Sequence, residues 1–229
     1  MQIEPNFALS DEFIHYAENA YPSNHTYKIR KGLLVPKREL AKRYHTIRKL
    51  YPRSLSSLLD VSCSKGFFVF DAARETTCTR ALGIDVHDYD ITFCDAIKKC
   101  TPSYHSANFA RLTLHELANR IDEFGGPFQT ILLINSYQYF YFGSAVSDET
   151  YQNHDEIFQN LRRVCSGRLI FNNRVNIEDC QNSEHVLAAP QKAEHYSRLE
   201  IYTAASQYFD IREHGKIGKY PLWAMDIKR

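Results

Sequence analysis

Apolar positions along the chain follow two alternating rhythms. Short runs such as Leu58 to Val61, broken only by Asp60, Ala81 to Ile84 and Thr130 to Ile134 have the length of buried strands. Between them, apolar residues recur at spacings of three and four, the signature of a helix with one buried face. Leu40, Tyr44, Ile47 and Tyr51 keep that spacing behind Pro36, which suits a first turn, and predict a helix over 36–51. Phe13, Tyr16, Ala17 and Ala20 predict a shorter helix ending near Pro22. Further helices are expected at 68–75, 88–100, 112–124, 151–164 and 199–209, and further strands at 104–109, 168–172, 211–216 and 222–228. Residues 173–198 carry no regular period. From residue 58 onward strands and helices alternate, which predicts an α/β sheet of about seven strands with helices on both faces. Thr130 to Ile134 is the most continuous apolar run, as expected at the centre of such a sheet.

The stretch from Leu58 to Asp85 is the informative one. It reads as strand, turn, helix and second strand, and the turn is made of small residues, Ser62, Cys63, Ser64 and Gly66. Small residues let backbone N–H groups approach a nucleotide-like ligand, and a carboxylate closing the second strand, here Asp85, can accept ribose hydroxyls. A dinucleotide fingerprint would need G-x-G-x-x-G, and only Gly66 is glycine, so an oxidoreductase is poorly supported.

Asp60-Val61-Ser62-Cys63-Ser64-Lys65-Gly66 resembles the D-x-G-x-G-x-G turn of the class I S-adenosylmethionine-dependent methyltransferases. Gly66 stands at the last glycine position and serine at the first two. The resemblance implies a Rossmann-like, doubly wound, mostly parallel sheet with an antiparallel closing strand, and S-adenosylmethionine as cofactor with no metal. It places Asp60, Ser62, Cys63, Ser64 and Gly66 at the cofactor, with Asp85 and Val86 at its ribose. By order of elements it assigns Asn108 to the adenine amine and Phe109 to the adenine face. Asn135 and Tyr137, beyond the Thr130 to Ile134 strand, are implied beside the methyl donor and are the catalytic candidates. Asn135-Ser136-Tyr137-Gln138-Tyr139 also resembles, without its prolines, the N/D-P-P-Y turn of amino-methylating enzymes. Cys63 reads as a small filler rather than a nucleophile, since no base adjoins it in sequence. None of the ten histidines has a decisive context; His185 and His195 fall in the irregular region, where an acceptor pocket would close.

Composition narrows the setting. At 229 residues and 44% hydrophobic, the chain suits one α/β domain, 54–229, preceded by a helical extension or lid, 1–53. No apolar stretch approaches the roughly 20 residues of a membrane span, and the N-terminus has neither a basic nor an apolar leader region, so a cytoplasmic protein without membrane contact is expected. Six scattered cysteines without a C-x-x-C pair fit reduced thiols and do not suggest zinc.

The net charge of +1 conceals a block: Lys28 to Arg53 holds ten Lys/Arg against one acid, Glu39. Such a block is either a footprint for an anionic partner or a solvated helix face. Three functions follow as expectations. The first is a methyltransferase with a small-molecule acceptor; the second, a nucleic-acid methyltransferase gripping phosphates through Lys28 to Arg53; the third, a cofactor- or partner-binding protein of the same fold without turnover. Oligomeric state is not legible.

Overall fold

The computed structural model describes residues 9–147, 150–180 and 184–228. By packing, the chain divides into one compact unit ending at Arg111 and another beginning at Leu112. In the first unit α1 (Asp11–Asn19) precedes a hairpin of β1 (Tyr27–Arg30) and β2 (Leu33–Pro36), then α2 (Arg38–Arg48). There follow β3 (Ser57–Val61), α3 (Phe67–Ala73), β4 (Arg80–Asp85), α4 (Asp88–Cys100) and β5 (Ala107–Arg111). The second unit contains α5 (Leu114–Asn119), β6 (Phe128–Ile134), α6 (Tyr137–Phe142), α7 (His154–Val164) and β7 (Cys165–Asn172). It continues with α8 (Glu184–Leu187), α9 (Pro190–Glu194), α10 (Arg198–Tyr208), β8 (Phe209–Ile217) and β9 (Tyr220–Ile227).

The main sheet has seven strands in the order β5-β4-β3-β6-β7-β9-β8. β3, β4 and β5 pair in parallel, as do β6 and β7, whereas β9 runs against both β7 and β8. All seven expected strands are therefore present, and the closing reversal is β9. Every residue of β3 is buried, and from Thr130 to Ile134 so is β6, which explains why these strands read as apolar runs rather than alternating ones. Each Leu, Ile or Phe side chain so buried contributes about 1.5–3 kcal/mol relative to exposure.

Three local features differ from the expectations. The hairpin in the extension was not foreseen; it turns through Lys31 (φ 50°) and Gly32 (φ 72°), a two-residue loop with both residues left-handed. β5 begins at Ala107 and runs on to Arg111, because Pro102 to Tyr104 form a 3-10 turn instead of strand. Beyond β6 the chain winds into α6 rather than staying extended. Tyr137 and Tyr141, four apart on one helix face, are consequently buried together while Tyr139 is exposed.

Candidate cofactor site

The turn after β3 is built by backbone geometry. Ser62 (φ 64°), Ser64 (φ 48°) and Gly66 (φ 71°) all occupy the left-handed region, alternating with Cys63 and Lys65. Serine therefore adopts the conformation for which glycine is the usual residue, at a cost of about 1–2 kcal/mol per position. Several bonds hold the turn against that strain. Cys63 N–H donates to the Ile84 carbonyl (2.9 Å), Gly66 N–H to the Cys63 carbonyl (2.9 Å), and Ser64 N–H to Asp85 Oδ2 (2.9 Å). Gly66 has a second constraint, since a Cβ there would lie 2.7 Å from both Cys94 Sγ and the Phe109 ring.

Asp85 closes β4, and its other oxygen, Oδ1, accepts from His87 N–H (3.0 Å). Burial raises its pKa, opposed by the two N–H donors. A carboxylate offers about four acceptor positions, so two remain for a diol. Asp60, near the end of β3, is 4% exposed, and its side chain has no hydrogen bond among the described residues. Burial pushes its pKa well above the carboxylate range, the Asp85 charge adds to this, and Arg43 opposes it. Bracing of the turn by a side chain thus falls to Asp85. Cys63 is buried, and burial with neighbouring Cys94 drives its thiol well up, which fits a filler and not a nucleophile.

The extension packs onto this turn. Tyr27 Oη donates to the Lys65 carbonyl (2.6 Å), Lys65 Nζ donates to the Ala20 carbonyl (2.6 Å), and Tyr16 Oη donates to Asp90 Oδ1 (2.6 Å). Lys65 is 1% exposed, with Nζ 5.0 Å from the Tyr16 ring centroid, and burial lowers its pKa to about 8. From α2, Arg43 turns inward, and its Nη1 lies 2.7 Å from His25 Nε2. A guanidinium only donates, so His25 Nε2 accepts. Burial, with Arg43 and Lys65 nearby, takes His25 down to about 3, which keeps it neutral. Arg43 and His25 escaped the sequence reading, because an arginine within a basic helix looks like surface.

Asn108 and Phe109 stand elsewhere than the order of elements suggested. Asn108 pairs with Leu82 and Phe109 with Gly83, in mid-strand, whereas the residue level with Asp85 is Arg111. The Asn108 amide is exposed and accepts from Lys98 Nζ (2.8 Å). The Phe109 ring packs against Phe70, 4.9 Å between centroids, and fills the space beside Gly66 and Gly83. Val86 directly follows β4 with its carbonyl 3.3 Å from Arg111 Nε.

In the second unit, β6 is followed by Asn135, again left-handed (φ 60°). The Asn173 amide, fully buried, accepts from Ser136 N–H (2.8 Å) and Tyr137 N–H (3.0 Å) and donates to the Leu133 carbonyl (2.7 Å). Gln138 Nε2 donates to the Asn135 carbonyl (3.0 Å). Asn135 Oδ1, Ser136 Oγ and Gln138 Oε1 are buried without partners among the described residues. Tyr137 differs. It has no exposure, and its hydroxyl bonds His154 Nδ1 (2.8 Å), whose Nε2 faces the His195 carbonyl (2.9 Å). His154 Nε2 must carry the proton for that carbonyl, so Nδ1 accepts from the phenol and Tyr137 is committed to the core. His195 itself is exposed beside Glu200 (3.2 Å). Among the described residues no His, Cys, Asp and Glu cluster is arranged to hold a metal.

A parallel sheet with one reversed strand near its edge, and a strand–turn–helix–strand unit carrying an acid after the second strand, is the fold of the Rossmann-like S-adenosylmethionine-dependent methyltransferases. The solved structures with this fold include the N-methyltransferase NodS from Bradyrhizobium japonicum WM9, at TM-score 0.57 and 14% identity over 83% of this chain and 97% of that one. A Pyrococcus horikoshii OT3 protein gives TM-score 0.61 and 16% identity over 97% and 100% of the two chains. The O-methyltransferase from Bacillus cereus in complex with SAH gives 0.54 and 11% over 87% and 84%. No family model and no curated protein matches the sequence. At these identities the likeness is one of fold.

Proposed function

We propose that the protein is an S-adenosylmethionine-dependent methyltransferase acting on a small-molecule acceptor. The observation that carries this reading is the turn itself: Ser62 and Ser64 are held in glycine-like left-handed geometry, with Ser64 N–H on Asp85. A chain that had abandoned the cofactor would have no reason to sustain that strain, which weighs against a binding protein without turnover. Ser62, Cys63, Ser64 and Gly66 would line the methionine side, and the free acceptor positions of Asp85 would take the ribose hydroxyls, with Val86 alongside. Bound there, the cofactor supplies an activated methyl on a sulfonium, already a good leaving group. The chain's own task is then alignment and exclusion of water, and alignment can supply about 7–11 kcal/mol.

Asn135 is the candidate on the acceptor side, because its orphaned Oδ1, with Ser136 Oγ and Gln138 Oε1 nearby in sequence, offers acceptors to a group bearing hydrogen. The extension, 1–53, is read as a cover over the cofactor turn, followed by the catalytic domain 54–229. A small acceptor is favoured over nucleic acid because part of the basic block is spent internally. Arg43 faces His25, Arg48 pairs with Asp71 and Glu75, and Lys37 bonds the Glu18 carbonyl. A cytoplasmic setting remains the expectation; among the described residues no helix is long and apolar enough to cross a membrane.

Calorimetry with S-adenosylhomocysteine tests the reading. The protein should bind it, and Asp85→Ala should weaken binding by about 1.5–3 kcal/mol, the range for hydrogen bonds to a charged group. Unchanged affinity in the variant would remove Asp85 from the site.

A further inference from the structure

In the second unit a cation stands at the strand ends with no counter-charge among the described residues. Arg174 lies two residues beyond β7, and Ile134 of β6 and Leu222 of β9 are both level with Asn172, the last residue of that strand. Ligands of such sheets sit outside these carboxyl ends. Arg174 is partly buried and its guanidinium is held: Nε donates to Tyr220 Oη (3.1 Å), and its central carbon is 5.4 Å from the Tyr220 ring centroid. The Arg174 carbonyl accepts from Tyr196 Oη (2.7 Å). Asn172 Nδ2 donates to the carbonyls of Tyr220 (3.0 Å) and Pro221 (2.9 Å), which fixes the phenol's backbone as well. Neither Nη of Arg174 has a hydrogen-bond or ion-pair partner among the described residues. Lys219, next to Tyr220, is already engaged by Asp179 (2.6 Å). Beside this group the chain leaving β6 bonds Asn135 N–H to the Asn172 carbonyl (2.9 Å), and the Asn135 Oδ1 and Gln138 Oε1 acceptors are buried without partners among the described residues.

We infer that the methyl acceptor carries a carboxylate and that Arg174, braced by Tyr220, is the residue that selects it. This rests on the methyltransferase reading above and names the substrate class of that site. A guanidinium held at Nε still presents its two Nη groups as a fork, which meets both oxygens of a carboxylate through parallel N–H donors. The Tyr220 hydroxyl accepts from Arg174, so its own hydrogen is left to give to the same anion. A neutral brace suits this task, since an acidic partner in its place would compete with the ligand. One unmatched guanidinium offsets one negative charge, and Lys219 is committed to Asp179, so a carboxylate fits better than a phosphate dianion. The buried acceptors on the β6 side, Asn135 Oδ1 foremost, then take a hydrogen from a hydroxyl or amine elsewhere on the same molecule. Arg174 is the specificity-determining residue.

The probes are para-hydroxybenzoate, its neutral methyl ester and phenyl phosphate, titrated by calorimetry into protein saturated with S-adenosylhomocysteine. The wild-type protein should prefer the carboxylate over the ester about ten- to hundred-fold. In Arg174→Gln the preference should fall to within about three-fold, through loss of carboxylate affinity, with the ester and S-adenosylhomocysteine binding as before. Arg174→Lys, which keeps the charge but loses the fork, should retain an intermediate preference. A wild-type preference below about two-fold, an unchanged preference in both variants, or no binding of any probe to the loaded protein overturns the inference and leaves the methyltransferase reading standing. Tighter binding of phenyl phosphate than of the carboxylate overturns the choice of anion. Weakening of S-adenosylhomocysteine and of both benzoate probes alike in Arg174→Gln overturns the inference too, by showing a structural role. If the wild-type protein does not bind S-adenosylhomocysteine, the methyltransferase reading fails and this inference with it.

Discussion

Ser62 and Ser64 show how much one residue's backbone can reveal. A methylene that glycine lacks makes the left-handed region costly, and both serines occupy it. Their hydroxyls make no hydrogen bond among the described residues, so nothing local repays the strain except the geometry of the turn. Ser62→Gly and Ser64→Gly should therefore raise thermal stability by up to about 1 kcal/mol each, the gain being cut by the greater freedom of an unfolded glycine. S-adenosylhomocysteine affinity should hold or improve. A large loss of affinity with intact stability would show that a hydroxyl contacts the ligand. The need for such geometry at these positions was legible in the sequence, because small residues before Gly66 lead into a helix. The pairing of Ser64 N–H with Asp85 was not, since it depends on the parallel register of β3 and β4.

At the scale of elements, the strands of the main sheet and the two helices of the extension, α1 and α2, were legible, and the hairpin between those helices was not. Apolar runs identify β3, β4, β6 and β7 because buried parallel strands need apolar residues on both faces. Lys31-Gly32 lacks the usual Asn-Gly signal of a tight hairpin, so β1 and β2 stayed hidden. The basic character of α2 likewise gave no hint that the helix has two kinds of cation. Arg38, Lys42 and Lys49 are exposed, whereas Arg43 is buried and Arg48 bridges to Asp71 (2.7 Å) and Glu75 on and just beyond α3. Tyr44 supports the same junction by donating to Asp71 Oδ1 (3.0 Å). What looked in sequence like one polycationic block is therefore partly internal cement. A binding series with a fluorescent RNA oligonucleotide at about 50 mM salt should accordingly show weak association, without the steep salt dependence of a protein neutralising six or more phosphates. Tight binding that collapses by about 200 mM salt would restore the nucleic-acid reading.

For the whole molecule, the fold alone does not choose an acceptor: the structures sharing it include both an N- and an O-methyltransferase. Choice must lie in side chains, and here two residues that looked equivalent in sequence part company. Tyr137 and Asn135 both follow the central apolar strand, but α6 begins at Tyr137 and turns its ring into the core, where Phe158 and Phe171 lie 5.6 and 5.3 Å away between centroids. Alternation beyond a strand predicts facing only while the chain stays extended, and the aromatic run gave no sign of where it would coil. Tyr137→Phe removes the donor that satisfies His154 Nδ1 and should cost about 1–3 kcal/mol of folding stability. It should leave turnover per folded molecule unchanged. Asn135→Ala should do the opposite, lowering turnover more than S-adenosylhomocysteine affinity, as expected of contacts made mainly in the transition state. Its left-handed φ of 60° complicates the test, since alanine tolerates that conformation less well than asparagine. Asn135→Gly removes the same amide without that penalty and should match Asn135→Ala in turnover while being the more stable. Full turnover in both variants at position 135, measured with any acceptor that wild-type protein methylates, would take Asn135 out of the reaction.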